Sequence, residues 1–218
     1  MNVGVLGRGD VGRRLATAFR DRGDQVMIGS RDPGTPELRE WLEGEGNGIA
    51  AGTLAETADF GELLVLAVLG NAAEEAITQA GPQRFAGKVV IDAMNPLDFS
   101  QGPPPRLGIT GYDSLGERVQ RALPQARVVK AFNIIGNPYF ADPEFSEGKP
   151  TMLIAGDDED AKVAVGELVE RFGWPPPVDI GGIEGSRELE SLCILWVKIG
   201  AMRGAWDHGL KLLIGESG

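Results

Sequence analysis

The segment from Gly7 to Gly12 constrains the fold of this chain more than any other feature. It matches the pattern G-x-G-x-x-G, directly after the apolar run 2–6 and directly before the helical pattern 11–22. In such a strand–loop–helix unit, the glycines permit a tight turn, an approach of pyrophosphate to the backbone, and close packing of helix and strand. The helix N-terminus adds free N–H groups and a partial positive charge. The pattern therefore predicts a dinucleotide-binding loop formed by Gly7, Arg8, Gly9, Asp10, Val11 and Gly12.

Apolar runs and helical patterns alternate along the rest of the chain. Such alternation is typical of a parallel sheet covered by helices on both faces. We therefore expect an α/β fold, a Rossmann-type doubly wound parallel sheet over residues 1–180, with a small C-terminal helical extension over residues 181–218. Strands are expected at 25–28, 63–68, 88–93, 127–132, 151–155 and 178–180, and helices at 36–43, 72–80, 115–123, 161–172 and from Ser186 onward.

Charge and composition restrict the partners. The chain has 218 residues and a formal net charge of −11, and an acidic surface repels nucleic acids and anionic membranes. The single cysteine, Cys193, excludes an internal disulfide and fits a reducing compartment. The N-terminus lacks a signal-peptide pattern, and no apolar run is long enough to span a bilayer. We expect a cytoplasmic protein with a small-molecule partner and no nucleic-acid or membrane partner.

The end of the second strand indicates NADP rather than NAD. Enzymes that prefer NAD place an acidic residue there, on the ribose hydroxyls. This chain has Ser30 followed by Arg31, and a hydroxyl and a guanidinium suit a 2′-phosphate. Asp32 keeps NAD open as an alternative, because a shifted register would present it to the ribose.

The chain is poor in groups for acid–base, thiol or metal chemistry. His208 is the only histidine and Cys193 the only cysteine, so no metal site and no catalytic acid or base are expected. Direct hydride transfer between a nicotinamide and a flavin-like ring suits such a chain, because it depends mainly on proximity and orientation.

Six segments, in chain order, carry a family resemblance: Val5–Gly7 with the glycine loop, Ile28–Arg31, Asp92–Pro96, Val128–Asn133, Ala155–Asp158 and Ile183–Leu192. They resemble the NADPH-dependent coenzyme F420 reductases (F420-dependent NADP oxidoreductases) and their flavin-linked relatives. The resemblance implies NADP(H) along the glycine loop, with Ser30 and Arg31 at the 2′-phosphate. It also implies a homodimer that uses the C-terminal helices.

The same resemblance implies a second ring system stacked on the nicotinamide at the ends of the strands. F420 reductases often carry histidine where this chain has Asn133, so F420, FMN and FAD all stay open as acceptors. The expected cofactor walls are Val68, Leu69, Met94, Asn95 and Pro96, and the expected acceptor contacts are Asn133 and Ile135.

Two other functions compete with this hypothesis. A β-hydroxyacid dehydrogenase or imine-reductase type of enzyme would use Lys198, on the long C-terminal helix, as a general acid. Few residues follow the last strand, however, for the large helical domain of those enzymes. The other alternative is a non-catalytic NADPH-binding sensor module, which equally needs no acid or base.

The C-terminal helix also carries a candidate dimer surface. A stripe at helical spacing includes two tryptophans and an arginine, which are residue types enriched at interface hot spots. The stripe comprises Leu192, Trp196, Ile199, Arg203 and Trp206.

Overall fold

A computed structural model describes residues 1–215, and these contain ten strands and seven α-helices. The strands are β1 (Asn2–Leu6), β2 (Gln25–Ser30), β3 (Ala50–Thr53), β4 (Leu63–Leu66), β5 (Val89–Asp92), β6 (Leu97–Asp98), β7 (Arg106–Leu107), β8 (Arg127–Lys130), β9 (Leu153–Gly156) and β10 (Val178–Asp179). The helices are α1 (Asp10–Asp21), α2 (Pro36–Glu43), α3 (Leu54–Phe60), α4 (Ala73–Ala80), α5 (Leu115–Ala122), α6 (Glu159–Arg171) and α7 (Ser186–Arg203). Short 3₁₀ helices occur at Gly70–Ala72, Pro82–Phe85, Asn137–Tyr139 and Ile183–Gly185.

The main sheet has the strand order β10-β9-β8-β5-β4-β1-β2-β3. Its six strands from β8 to β3 pair in parallel, and their order is that of a Rossmann sheet. The expected Rossmann-type α/β fold is therefore confirmed. From β1 the chain builds the sheet outward to β3, and it then returns to the other side of β1 to form β4. The boundary between β1 and β4 is therefore the topological switch point. In open α/β sheets, ligands bind outside the carboxyl ends of the strands at such a point.

One edge of the sheet departs from the expected parallel arrangement. β9 pairs with β8 in antiparallel orientation, with Val129 opposite Gly156. The connection between them contains the 3₁₀ helix Asn137–Tyr139 but no α-helix, so it lacks the helical crossover usual between parallel strands. Helix α6 does cross over between β9 and β10, and those two strands are parallel.

Two parts of the fold were not predicted from the sequence. The first is the unit of β3 and α3, which follows α2, and the second is the hairpin β6–β7, which follows β5. Thr53 caps α3 in a capping box, since its hydroxyl accepts from the backbone N–H of Glu56 while the Glu56 carboxylate accepts from the N–H of Thr53. The sequence does not predict β3 because Ala50-Ala51-Gly52-Thr53 has small residues and no strong apolar alternation.

The two faces of the sheet carry separate apolar clusters. The first packs α1, α2 and α6 onto the sheet and includes Leu15, Leu38 and Val165. The second packs α3, α4 and α5 onto the other face and includes Ile77 and Val119. This double covering leaves the carboxyl ends of the central strands open for a ligand.

Helix α7 ends at Arg203, because Gly204 takes a left-handed conformation with φ of 64°. Trp206 therefore does not continue the helical stripe, and Trp196 is buried within the chain, so the predicted exposed face with two tryptophans is wrong. The ring of Trp206 lies 5.5 Å from the buried ring of Trp196, centroid to centroid, and His208 stacks on the same ring at 4.7 Å.

Residues 216–218 of the expected extension lie outside the described residues. No helix within residues 1–215 combines the length and apolar character needed to cross a bilayer.

Candidate cofactor-binding site

The three glycines of the loop have three different environments. Gly7 has a φ of +129°, and a Cβ there would collide with the carbonyl of Ala67. A Cβ on Gly12 would collide with the carbonyl of Gly7, so this glycine permits the close approach of α1 to β1. Gly9 has no heavy atom within 4 Å of its Cβ position. The backbone at Gly9 is therefore the open point, where a pyrophosphate has room to approach.

The loop is held from outside by Arg13, which sequence reasoning missed. Its Nε donates to the carbonyl of Arg8 at 3.0 Å, and its guanidinium lies 5.4 Å from the ring centroid of Trp41 on α2. Gly9 is the N-cap residue of α1. Asp10 is the first residue of that helix rather than its cap, and it is exposed.

Two buried hydroxyls lack hydrogen-bond partners here: Ser30 Oγ at the end of β2, and Thr35 Oγ1 at the N-cap of α2. Both residues line the same cleft as the exposed guanidinium of Arg31. The Asp32 carboxylate accepts from the backbone N–H of Gly34 at 2.9 Å and so closes its own turn. Unpartnered hydroxyl donors beside a guanidinium fit a phosphate group.

These features open into one cleft of about 830 Å³ at the carboxyl ends of β1, β2, β4 and β5. Of the predicted cofactor contacts, Gly12 and Pro96 do not line it; both are buried beneath its surface. The predicted contacts that line it are Gly7, Arg8, Gly9, Asp10, Val11, Ser30, Arg31, Val68, Leu69, Met94 and Asn95.

The end of the cleft at β4 and β5 is mainly apolar, although the amides of Asn71 and Asn95 also line it. Val68 and Met94 lie in its wall, and Leu69 and Phe99 stand on the rim with 73% and 55% of their surface exposed. Phe99 follows β6 and was missed, because two-residue strands leave no pattern in the sequence. A rim of exposed large apolar side chains suits the face of a flat, apolar ring.

Asn133 does not line the cleft but lies behind it, 5% exposed. Its Nδ2 donates to Asn95 Oδ1 at 2.9 Å and to the carbonyl of Leu189 at 3.0 Å. In return, Asn95 Nδ2 donates to the carbonyl of Asn133 at 2.8 Å. Asn133 thus supports a residue of the cleft wall. Ile135 also lies outside the cleft and packs against the core.

A fully buried group of charges lies below the same wall. Lys130 Nζ donates to Asp92 Oδ2 at 2.9 Å and is paired with Glu190 Oε1 at 2.8 Å. Burial alone would lower the pKa of the Lys130 ammonium, but the two carboxylates outweigh burial and raise that pKa above its ordinary value. Lys130 is therefore a permanent cation in the core.

The described lining of the cleft contains no histidine or cysteine, and its titratable residues are Arg8, Asp10, Arg31, Asp32 and Glu75. Those five lie on the glycine loop and the start of α1, directly after β2, or on α4. Lys198 is exposed on α7 and does not line the cleft. The described lining therefore suits the binding and orientation of a ligand.

The Rossmann strand order, the glycine loop and the cleft at the switch point together define a dinucleotide-binding protein. Residues 2–96 match the family model described as NADP oxidoreductase, coenzyme F420-dependent. The F420-dependent NADP reductase of Methanothermobacter marburgensis is 30% identical over 221 residues, which cover 97% of this chain and 98% of that enzyme. The chain therefore belongs to the family of F420-dependent NADP reductases, which are oxidoreductases.

One solved structure agrees with this assignment, and a second shares only the fold. A protein from Arthrobacter sp. FB24, assigned as an F420-dependent NADP-reductase, is 35% identical and superposes with a TM-score of 0.93, covering 98% of this chain and 100% of the other. The imine reductase of Bacillus cereus BAG3X2 has a TM-score of 0.65 at 18% identity, with 62% of its chain covered, and shows the fold alone.

Part of a longer protein is also similar. The metalloreductase STEAP3 of Rattus norvegicus is 30% identical over 191 residues, which cover 87% of this chain. The chain spans only 36% of the length of that metalloreductase.

Proposed function

We propose that this protein transfers a hydride between NADP(H) and a deazaflavin or flavin acceptor, with coenzyme F420 as the first acceptor to test. The observation that carries the proposal is the continuity of one cleft, from the open backbone at Gly9 to the apolar rim at Phe99. A cofactor and a flat acceptor ring would meet where the wall is apolar. Relatives named as F420-dependent NADP reductases, which match 97% of this chain, support F420 over FMN and FAD.

The residues would hold NADP(H) in three places. The N-terminus of α1 and the Gly9 backbone would bind the pyrophosphate. Ser30, Thr35 and Arg31 would bind the 2′-phosphate, since their free hydroxyls and guanidinium are all donors. Val68, Leu69, Met94 and Asn95 would surround the nicotinamide, and the cofactor supplies or accepts the hydride when it is bound.

The protein's contribution at the apolar end would be orientation. Asn95 lies next to Met94 in the cleft lining, and a side-chain amide is neither an acid nor a base near neutral pH. Leu69 and Phe99 would exclude water from the ring faces. Holding two reactants in a near-attack geometry is itself a large catalytic effect.

We also propose that the protein is a cytoplasmic homodimer that contacts its partner through the segment after residue 180. The support is an exposed apolar set at this end of the chain: Leu195, Met202, Leu212, Leu213 and Ile214. Light scattering at micromolar concentration tests the dimer, and a monomeric mass would contradict it.

The function is tested by the oxidation of NADPH in the presence of F420, FMN, FAD or a ferric chelate. Turnover with F420 that exceeds turnover with both flavins supports the proposal in full. NADPH binding without turnover for any acceptor would favour the sensor module. A loss of kcat of about a hundredfold in Lys198→Ala would favour the imine-reductase type, because that is the usual size of a general-acid contribution.

A further inference from the structure

We propose that the beginning of α7 positions the cleft wall that faces the nicotinamide, and that Glu190 and Asn133 are the positioning residues. The inference rests on the proposed binding of NADP(H) in the cleft. It gives the C-terminal helix a role in the cofactor site, in addition to any role in assembly.

The first link is ionic. Besides the two carboxylates, Lys130 Nζ donates to the carbonyl of Met94 at 2.8 Å, so its three N–H groups have three acceptors. The Glu190 carboxylate also accepts from the backbone N–H groups of Leu115 and Gly116, both at 3.0 Å. Glu190 therefore joins α7 to the N-terminus of α5 and, through Lys130, to the backbone of the cleft wall.

The second link is an amide. Leu189, the residue before Glu190, accepts from Asn133 Nδ2 through its carbonyl at 3.0 Å, and the same Nδ2 donates to Asn95 Oδ1. Two consecutive residues of α7 thus reach two consecutive residues of the wall, Met94 and Asn95, by separate routes.

Met94 is fixed from both sides. Its backbone N–H donates to Asp92 Oδ1 at 2.9 Å, while its carbonyl accepts from Lys130. The charged side chains of this network are at most 1% exposed. Removal of one partner from such a network leaves an uncompensated buried charge, and the backbone that shares it has to shift.

A merely structural role is separable from a positioning role, because the chain offers a matched control. Arg187 lies on α7 one turn before Glu190 and also bridges to α5, with its Nε 2.8 Å from Glu117 Oε2. It makes no contact with the network at Lys130 among the described hydrogen bonds and ion pairs. Arg187→Gln therefore loosens the contact of α7 with α5 without touching the wall.

The test compares Glu190→Gln, Asn133→Ala and Arg187→Gln in their binding of two ligands. NADPH reaches the whole cleft, whereas 2′,5′-ADP carries the phosphorylated adenosine end and has no nicotinamide. Calorimetry gives both dissociation constants, and the fluorescence of bound NADPH reports the surroundings of the nicotinamide. Both carboxylate oxygens of Glu190 face hydrogen-bond donors. In Glu190→Gln, either orientation of the amide therefore places its NH₂ group against another donor, Lys130 or a backbone N–H.

We expect Glu190→Gln and Asn133→Ala each to weaken NADPH binding at least about fivefold, the range of one or two lost hydrogen bonds, and to change the fluorescence of bound NADPH. Their affinity for 2′,5′-ADP should stay within about twofold of the wild type, and Arg187→Gln should leave both affinities and the fluorescence unchanged.

Equal weakening of both ligands in Glu190→Gln and Asn133→Ala, or no change in either, would overturn the inference. If Glu190→Gln does not fold, Asn133→Ala decides alone, since it removes a neutral side chain. A wild-type protein that binds neither ligand would refute the proposed function and the inference with it. A wild type that binds both, with variants that bind NADPH normally, would refute only the inference.

Discussion

If the 2′-phosphate binds at Arg31 as proposed, we expect Glu75 to oppose it, so that neutralisation of Glu75 tightens the binding of NADPH. The carboxylate lies on α4, across the cleft from the end of β2, with Oε1 4.0 Å from Nη1 of Arg31. A 2′-phosphate that binds Arg31 has to share or break this pair and to approach a second negative charge. Glu75→Gln removes the charge and keeps the size of the side chain.

The magnitude follows from the distance and the exposure. Two unit charges 4 Å apart attract each other by about 1 kcal/mol in water, and exposed ion pairs typically contribute about 0.2–1 kcal/mol. Arg31 and Glu75 are 74% and 60% exposed, so screening by solvent keeps the contribution of this ion pair near the lower end of that range. We therefore expect Glu75→Gln to tighten NADPH binding by about 1.4-fold to twofold at low salt, with little change for NADH.

Glu74→Gln is the matched control. Glu74 occupies the same first turn of α4 and pairs with Arg118 at the same 4.0 Å, but it does not line the cleft. Both variants change the net charge and the charge near the helix N-terminus equally. Titration of each variant with NADPH and NADH, at low and at high salt, separates the local effect from the global one. Equal tightening in both variants would show that Glu75 does not face the phosphate and would refute the reasoning.

Three further predictions concern the loop, the core and the chemistry. Gly9→Val should abolish NADPH binding, because the valine side chain would occupy the open space where the pyrophosphate approaches the backbone. Circular dichroism should stay native, since the space at this position is open and its φ of −73° is ordinary. Normal binding would mean that the pyrophosphate lies elsewhere. Burial raises the pKa of the Cys193 thiol to about 12, so at pH 8 the group stays protonated, and native protein should resist thiol reagents that label the unfolded chain. Rapid labelling of native protein would contradict this burial. Turnover should show no bell-shaped profile between about pH 6 and 8, since no acid or base acts at the apolar end of the cleft, and a bell-shaped profile would reveal such a group.

The sequence was sufficient to place residues whose position depends on local geometry. The glycine loop and the Ser30-Arg31 pair each follow a strand that is visible as an apolar run, so their positions could be counted along the chain. Placements that depend on distant elements could not be counted in this way. Asn133 lies behind Asn95 because its side chain is held there by the Leu189 carbonyl of α7. The charge of Lys130 is neutralised by an ion pair with Glu190, 60 residues further along the chain. The helical stripe failed at Trp206 because Gly204 ends α7, an effect of backbone conformation that periodicity does not detect.

The central claim is that the cleft binds NADP(H) through the end of β2, and the affinities of the wild-type protein for NADPH and NADH test it most directly. Charge-assisted contacts are each worth about 1.5–3 kcal/mol, so NADPH should bind at least about tenfold more tightly than NADH. Arg31→Ala should remove most of this difference while leaving NADH binding unchanged. Equal dissociation constants for NADPH and NADH in the wild-type protein would contradict the account.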